Sequence, residues 1–201
     1  LAVDGIKDRK NHIKLCEIKI NEMKKIKIDT ILKKKMLNFL ENQITPKFVE
    51  IKKYFLEKEL INLKKIKLAK KDMIVSPSDF GFHNIIQSKN DLFFLDFEYA
   101  GLDDPIKLIC DFYCQPNQSL TFLQKKMFVE NISLKNHTTN QLKFYTKIFL
   151  PFHKLKWCCI ILNKFKENIK NIDKNSTEEN NKILKRQLFK AITYFNKNIK
   201  K

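Results

Sequence analysis

The chain has 201 residues and carries 40 Lys and Arg against 22 Asp and Glu, a net charge of +18. That is enough length for one good core and enough positive charge to draw phosphates or anionic surfaces. Nearly every cation is Lys, with Arg only at Arg9 and Arg186, which weighs against a nucleic-acid reader built on planar arginine forks. The longest purely apolar run, Trp157 to Leu162, is too short to cross a bilayer and no signal peptide is visible, so no membrane role is expected.

The predicted elements follow from apolar spacing. His12 to Leu40 places Ile13, Cys16, Ile20, Met23, Ile31, Met36, Leu37 and Leu40 at three- and four-residue steps, a helix interrupted near Ile28-Asp29. Thr45-Pro46 is expected to start a second helix, with Phe48, Ile51, Phe55 and Leu56 as its apolar face. The lysines between Lys64 and Lys71 read as its solvated end and a loop.

Residues 76–98, SPSDFGFHNIIQSKNDLFFLDFE, break the helical pattern. Asn84-Ile85-Ile86 and Leu92 to Leu95 are short apolar runs around the polar turn Gln87 to Asp91, which predicts a small antiparallel hairpin. A hairpin folds its ends together, so Asn84 at its start and Asp96 at its end become neighbours, with Asp79 one short loop away. An amide oxygen and a carboxylate together suit Mg²⁺, which takes few protein ligands and shares the rest with water and phosphate. The remaining carboxylate could then take a proton from a hydroxyl. Taken singly, each has a plainer role as turn residue, cap or strand end.

Beyond this stretch, a loop runs to Asp104-Pro105, and Leu108 to Tyr113 reads as a helical turn or two. Ser119 to Val129 has helix character. Thr139 to Asn168 is a long helical region that Pro151 should kink or interrupt, because proline lacks an amide donor. Ser176 to Glu179 has capping-box spacing ahead of a last helix through Leu184, Leu188, Ile192 and Phe195. The five cysteines, Cys16, Cys110, Cys114, Cys158 and Cys159, lack paired zinc spacing and suit structural thiols in a reduced, cytoplasmic protein. The hairpin is the one clear strand pair, so the fold class expected is α+β and predominantly helical.

Asp79-Phe80-Gly81-Phe82-His83-Asn84 followed by Leu95-Asp96-Phe97-Glu98, then Tyr99-Ala100-Gly101 and Asp104-Pro105, resembles the aminoglycoside phosphotransferase and choline kinase-like family. There a catalytic Asp-x-x-x-x-Asn precedes a hairpin and an Asp-[Phe/Trp]-Glu, in the place of the protein-kinase Asp-Phe-Gly. The bare spacing is weak in an Asn-rich chain, whereas loop, hairpin, Asp-Phe-Glu and Asp-Pro in this order form a much more specific conjunction. The resemblance implies a protein-kinase-like C-lobe with a small catalytic β-hairpin. It implies phosphotransfer from ATP or GTP to a small-molecule hydroxyl, with aminoglycosides, choline or ethanolamine, and sugar-like metabolites among the acceptors. Asp79 would deprotonate the acceptor, and Asn84 and Asp96 would hold Mg²⁺. Glu98, Asp103, Asp104 and Trp157 become candidate substrate contacts, the acids through charge and the indole as a face for a cationic amine. His83 reads as a loop-packing imidazole, and His153 as a core side chain.

Two departures qualify the resemblance. Pro77 stands where the family usually has a His, two positions before the catalytic Asp. The only glycines are Gly5, Gly81 and Gly101, so no Gly-rich loop over nucleotide phosphates can be recognised. With a start at Leu1 rather than Met, the expectation is a single domain over residues 1–201, the large substrate and catalytic lobe. The N-terminal nucleotide-binding lobe would lie outside this chain. The alternative reading is a basic helical module that binds nucleic acid or another polyanion.

Overall fold

The computed structural model describes residues 5–59, 68–132, 137–166 and 174–200. Their helices are α1 (Asn11–Lys24), α2 (Ile31–Phe39), α3 (Thr45–Glu59), α4 (Pro105–Cys114), α5 (Phe122–Asn131), α6 (Thr139–Ile161) and α7 (Lys174–Asn198). Four short strands, β1 (Ile74–Ser76), β2 (Ile85–Ser88), β3 (Asp91–Phe94) and β4 (Gly101–Asp103), form two antiparallel ribbons. The chain divides into two compact units, residues 1–13 with 58–153, and residues 14–57 with 154–201. None of the described helices is long and apolar enough to cross a membrane.

In the second unit, the break near Ile28-Asp29 is real: α1 ends at Lys24, and α2 starts with Thr30 as its cap, the hydroxyl accepting from Lys33 N. The second helix does not begin afresh at Thr45-Pro46. A π turn over Leu40–Ile44 joins α2 directly to α3, and Thr45 N–H bonds back to Leu40 O. The wider turn absorbs the donor that Pro46 lacks. Met36, Phe39, Leu40, Ile44 and Phe48 are buried along this composite helix, and Phe39 meets Phe195 of α7 edge to face at 5.6 Å. The described part of α7 begins at Lys174, so Ser176 to Glu179 lie inside its first turns rather than ahead of them. Much of the expected lysine-rich loop lies outside the described residues, as does the end of the region expected to reach Asn168.

The first unit holds the two ribbons. The expected hairpin is β2 with β3, tighter than its polar sequence suggested. Ser88 pairs with Asp91, so the loop is only Lys89-Asn90, with Lys89 at φ +51°. The second ribbon escaped the sequence reading: β1 pairs with β4 through Ile74↔Asp103, Val75↔Leu102 and Ser76↔Gly101. Residues 77–100 are therefore one excursion whose two ends are clasped together, with the hairpin inside it.

The loop gives way to helix at Asp104-Pro105, and that helix is longer than a turn or two. Asp104 caps α4, its carboxylate accepting from Ile106 N at 2.9 Å, and Pro105 takes the first turn, where its missing donor costs nothing. α6 continues past Pro151 from Thr139 to Ile161 without a break. Phe149 and Phe152 beside the proline are fully buried, and this apolar anchorage outweighs one lost hydrogen bond.

Beneath β4 and α4 runs a buried charged network. Arg9 Nε and His12 Nε2 both meet Asp104 Oδ2 at 3.2 Å. His12 Nδ1 meets His153 Nε2 at 2.8 Å, and His153 Nδ1 meets Asp111 Oδ1 at 3.0 Å. Lys107 Nζ lies between Asp103 and Asp111 at 3.2 and 3.3 Å, and Asp103 Oδ1 accepts the Ile6 and Asp104 amides, both at 2.8 Å. Burial pushes Asp104 upward, yet the His12 hydrogen bond and the charges of His12 and Arg9 outweigh it and hold the carboxyl below its usual range. Burial wins at Asp103, which is raised. For Lys107 burial is outweighed by Asp111 and Asp103, so its ammonium is held above the usual lysine range.

All five cysteines are buried thiols outside any disulfide, as structural thiols should be. Burial pushes the Cys159 thiol up to about 12 and raises Cys16 well above the ordinary value. In the unfolded chain thiols ionise near ~8.5 and lysines near ~10.4. Above those values the unfolded state sheds protons that the folded state retains, so stability falls as pH rises. The urea midpoint should therefore decline steadily from about pH 8.5 through about pH 11; a flat midpoint across that window would contradict the buried state of Cys16, Cys159 and Lys107.

Candidate active site

The excursion over residues 77–100 starts with backbone strain. Asp79 N–H bonds to Pro77 O at 2.9 Å, closing a three-residue turn around Ser78, whose φ is +69°. This is the positive-φ γ-turn, the rarer and more strained form. Ser76, fully buried at the end of β1, supports it by accepting the Ser78 amide on its hydroxyl at 3.1 Å. The turn presents Asp79, half-buried, at the mouth of the loop.

Phe80 then points into an aromatic cluster. Its ring lies 5.3 Å from Phe112 of α4, 5.7 Å from Phe128 of α5 and 6.1 Å from Phe94 of β3, while Phe112 and Phe128 sit 4.2 Å apart. These offset and tilted contacts anchor the residue next to Asp79 on two helices. Gly81 is extended, with φ −168°, so its value is spatial: a Cβ there would come within 2.6 Å of the His83 ring. His83 folds over the loop with Nε2 3.4 Å from Asp79 Oδ2, and both side chains are substantially exposed.

Asn84 is the joint of the site. Its side-chain amide donates to Asp79 O at 2.9 Å, and its own carbonyl accepts from Leu95 N at 2.9 Å. One residue thus ties the loop that carries Asp79 to the end of the hairpin that leads to Asp96. With Nδ2 spent on the carbonyl, Oδ1 is the atom left for a cation. Asp96 does not end a strand as expected: β3 stops at Phe94, and Asp96 stands two residues beyond in left-handed backbone, φ +62°, exposed. Among the described residues its carboxylate makes no hydrogen bond or ion pair. An aspartate held at positive φ costs on the order of 1 kcal/mol, and here the conformation turns the chain out of the hairpin directly beside Asn84.

A pocket of about 340 Å³ opens at this point, lined by Asp79 and Asn84 and walled largely by Phe80, Phe94, Phe97 and Phe128. Asp96 is not among the lining residues; in chemical type, the Asn84 amide oxygen and the Asp96 carboxylate are donors that suit a magnesium ion completing its shell with water and phosphate. Among the described residues no cluster of three or more His, Cys, Asp or Glu stands ready to hold a metal alone.

The other candidate contacts fall elsewhere. Glu98 is exposed just past Asp96. Asp103 and Asp104 are completely buried in the charged network, committed to Ile6, Lys107, Arg9, His12 and the cap of α4, and neither is open to a substrate. Trp157 is half-buried on α6 in the second unit. His153, buried, belongs to the network rather than to a pocket. Sequence reading passed over Gln115 and Gln118, which reach the loop from the end of α4; the only signal was a polar Gln-Pro-Asn-Gln after an apolar helix.

Among solved structures, the fold is similar to that of an ethanolamine kinase from Plasmodium vivax, with a TM-score of 0.50 and 14% identity over 95% of this chain. A choline kinase from Cryptosporidium parvum aligns at a TM-score of 0.44 and 14% identity over 100% of this chain and 61% of its own. The chain spans about half, 50%, of the ethanolamine kinase. No protein-family model and no curated protein sequence matches it. The described residues thus share their fold with part of that ethanolamine kinase, mainly helical with a small hairpin.

Proposed function

We propose that this chain forms the catalytic, acceptor-binding lobe of a phosphotransferase that moves the γ-phosphoryl group of ATP or GTP onto a hydroxyl of a small molecule. One observation carries the reading: Asn84 hydrogen-bonds at once to the Asp79 loop and to Leu95 at the hairpin end, so Asp79 and Asn84 line one pocket and Asp96 follows directly on the backbone that Asn84 holds. The kinase-like fold of the chain supports it.

In this reading Asp79 accepts the proton of the acceptor hydroxyl as that oxygen bonds to the γ-phosphorus. The bond from phosphorus to the bridging oxygen breaks, and the nucleoside diphosphate leaves. Asn84 and Asp96 hold Mg²⁺, which neutralises charge on the phosphates when bound. The chain's own contribution is position: the aromatic wall excludes water, and the γ-turn and Asn84 fix the base. Glu98, at the rim, is the remaining acid available to an acceptor amine. A nucleotide-covering lobe is expected from residues outside this chain, consistent with its matching half of the ethanolamine kinase.

The complete protein, incubated with labelled ATP or GTP, Mg²⁺ and a panel of amino alcohols, sugars and aminoglycosides, should phosphorylate at least one acceptor class. EDTA should abolish that turnover. Failure across the panel, or turnover indifferent to EDTA, would sink the proposal.

A further inference from the structure

Resting on that reading, we infer that Gln115 is the positioning residue for Asp79, and that the Gln115-Pro116-Asn117-Gln118 turn holds the catalytic loop from outside it. The loop needs such a brace. It has Pro77 before the strained turn, and the loop's own His83 sits at a long 3.4 Å from Asp79 Oδ2 in an exposed setting. Gln115, by contrast, is only 6% exposed and donates from Nε2 to Asp79 Oδ1 at 3.0 Å. Among the described residues it is the one buried donor to that carboxylate. The assignment of the amide is fixed by chemistry: facing a carboxylate, it must present its nitrogen.

The turn is built for this reach. α4 ends at Cys114, and Gln115 leaves the helical conformation, φ −53° and ψ 118°, as the residue before a proline must tend to do. Two residues after the proline, Gln118 makes a double clamp: its Oε1 accepts the Phe82 amide at 3.2 Å, and its Nε2 donates to Phe112 O at 2.7 Å. One glutamine therefore grips the loop backbone and the other grips the reactive side chain. With Oδ1 pinned by Gln115 at 3.0 Å, Oδ2, which meets only the exposed His83 ring at 3.4 Å, is the more accessible oxygen to receive a proton, and a carboxylate with one oxygen anchored is restrained in line with its acceptor.

The test compares Gln115→Met, equal in length but without a donor, with Gln115→Lys, which restores one, in the complete protein with Mg²⁺, nucleotide and an accepted hydroxyl substrate. Gln115→Met should lower kcat by roughly 10- to 100-fold while both KM values stay within about twofold and the melting midpoint holds. Gln115→Lys should recover part of the loss. Wild-type kcat in Gln115→Met overturns the inference, as does an equal loss in both variants with a lowered midpoint, which marks a packing role. Asp79→Asn run alongside separates the two levels: if it keeps full turnover the phosphotransfer reading itself fails, and if it is dead while Gln115→Met is fully active only Gln115 is misassigned. Independently of turnover, the Gln115 side-chain amide resonances should exchange slowly in wild type and lose that protection in Asp79→Ala; unchanged protection also overturns the inference.

Discussion

Replacing Asp79 with Ala should lower kcat of the complete protein by roughly 10²- to 10⁴-fold, the usual contribution of a positioned general base. Folding should survive, because the side chain is half-exposed and its loop is held mainly by other atoms: the Phe80 ring, the Asn84 amide on Asp79 O, and Gln118 on Phe82 N. The Ala variant retains the backbone carbonyl that Asn84 grips, so the proposed metal-binding pair keeps its place. Nucleotide KM should then change little, since the proposed role of Asp79 is toward the acceptor. Steady-state assays paired with circular-dichroism melting read both halves of this expectation. An Asp79→Ala protein with wild-type kcat for an identified acceptor would remove Asp79 from the chemistry.

The second large effect concerns stability. Asp104→Ala removes the α4 cap, worth about 1 kcal/mol, and strands Arg9 and His12 in the interior beside no carboxylate. Breaking a buried ion pair from one side costs about 3–5 kcal/mol, a large share of the ~5–15 kcal/mol that holds a typical protein folded. The melting midpoint should fall by roughly 6–20 °C at this chain length. Asp104→Asn retains the cap but not the charge, and its loss should be smaller. The wild type should show the matching pH signature. Asp104 is held below the ordinary carboxylate range, so its stabilisation is complete above about pH 3.9 and is lost as pH falls further, through its folded-state value. An Asp104→Ala protein that melts within a degree or two of wild type would show that the network is not coupled to the fold.

The residues proposed to do the chemistry were the legible ones. Asp79, Asn84 and Asp96 sit within one short stretch, so turn chemistry and a two-residue strand period were enough to bring them together. What stayed hidden depends on contacts between distant parts of the chain. β4 is three residues long, Gly101 to Asp103, and becomes a strand only because β1 lies beside it. Asp103 and Asp104 read as acids able to meet an amine or simply to cap the loop, and only the cap at Asp104 is local; the partners that bury them stand far off in sequence, Arg9 being 95 residues from Asp104 and Ile6 97 from Asp103. Gln115 had no periodicity to mark it, only a partner 36 residues away. The continuous helix through Thr45-Pro46 was misread because a proline in a first turn and a proline behind a π turn look the same as letters.

The partition of the chain has a practical edge. Residues 5–13 belong with residues 68–132, not with the helices they introduce, because the Ile6 amide, Arg9 and His12 are threaded into the network under β4 and α4. The unit that carries the site is thus discontinuous along the sequence. A truncation drawn at the seemingly natural start of the helical region, or a limited-proteolysis fragment beginning near residue 60, would keep every residue of the Asp79 loop and still lose it. Asp103 would keep Lys107 but lose the Ile6 amide, Asp104 would keep only its cap on Ile106 and lose Arg9 and His12, and the clasp that closes the loop would lose its anchor. A soluble but inert fragment of that kind would report on the cut, and say nothing of the chemistry.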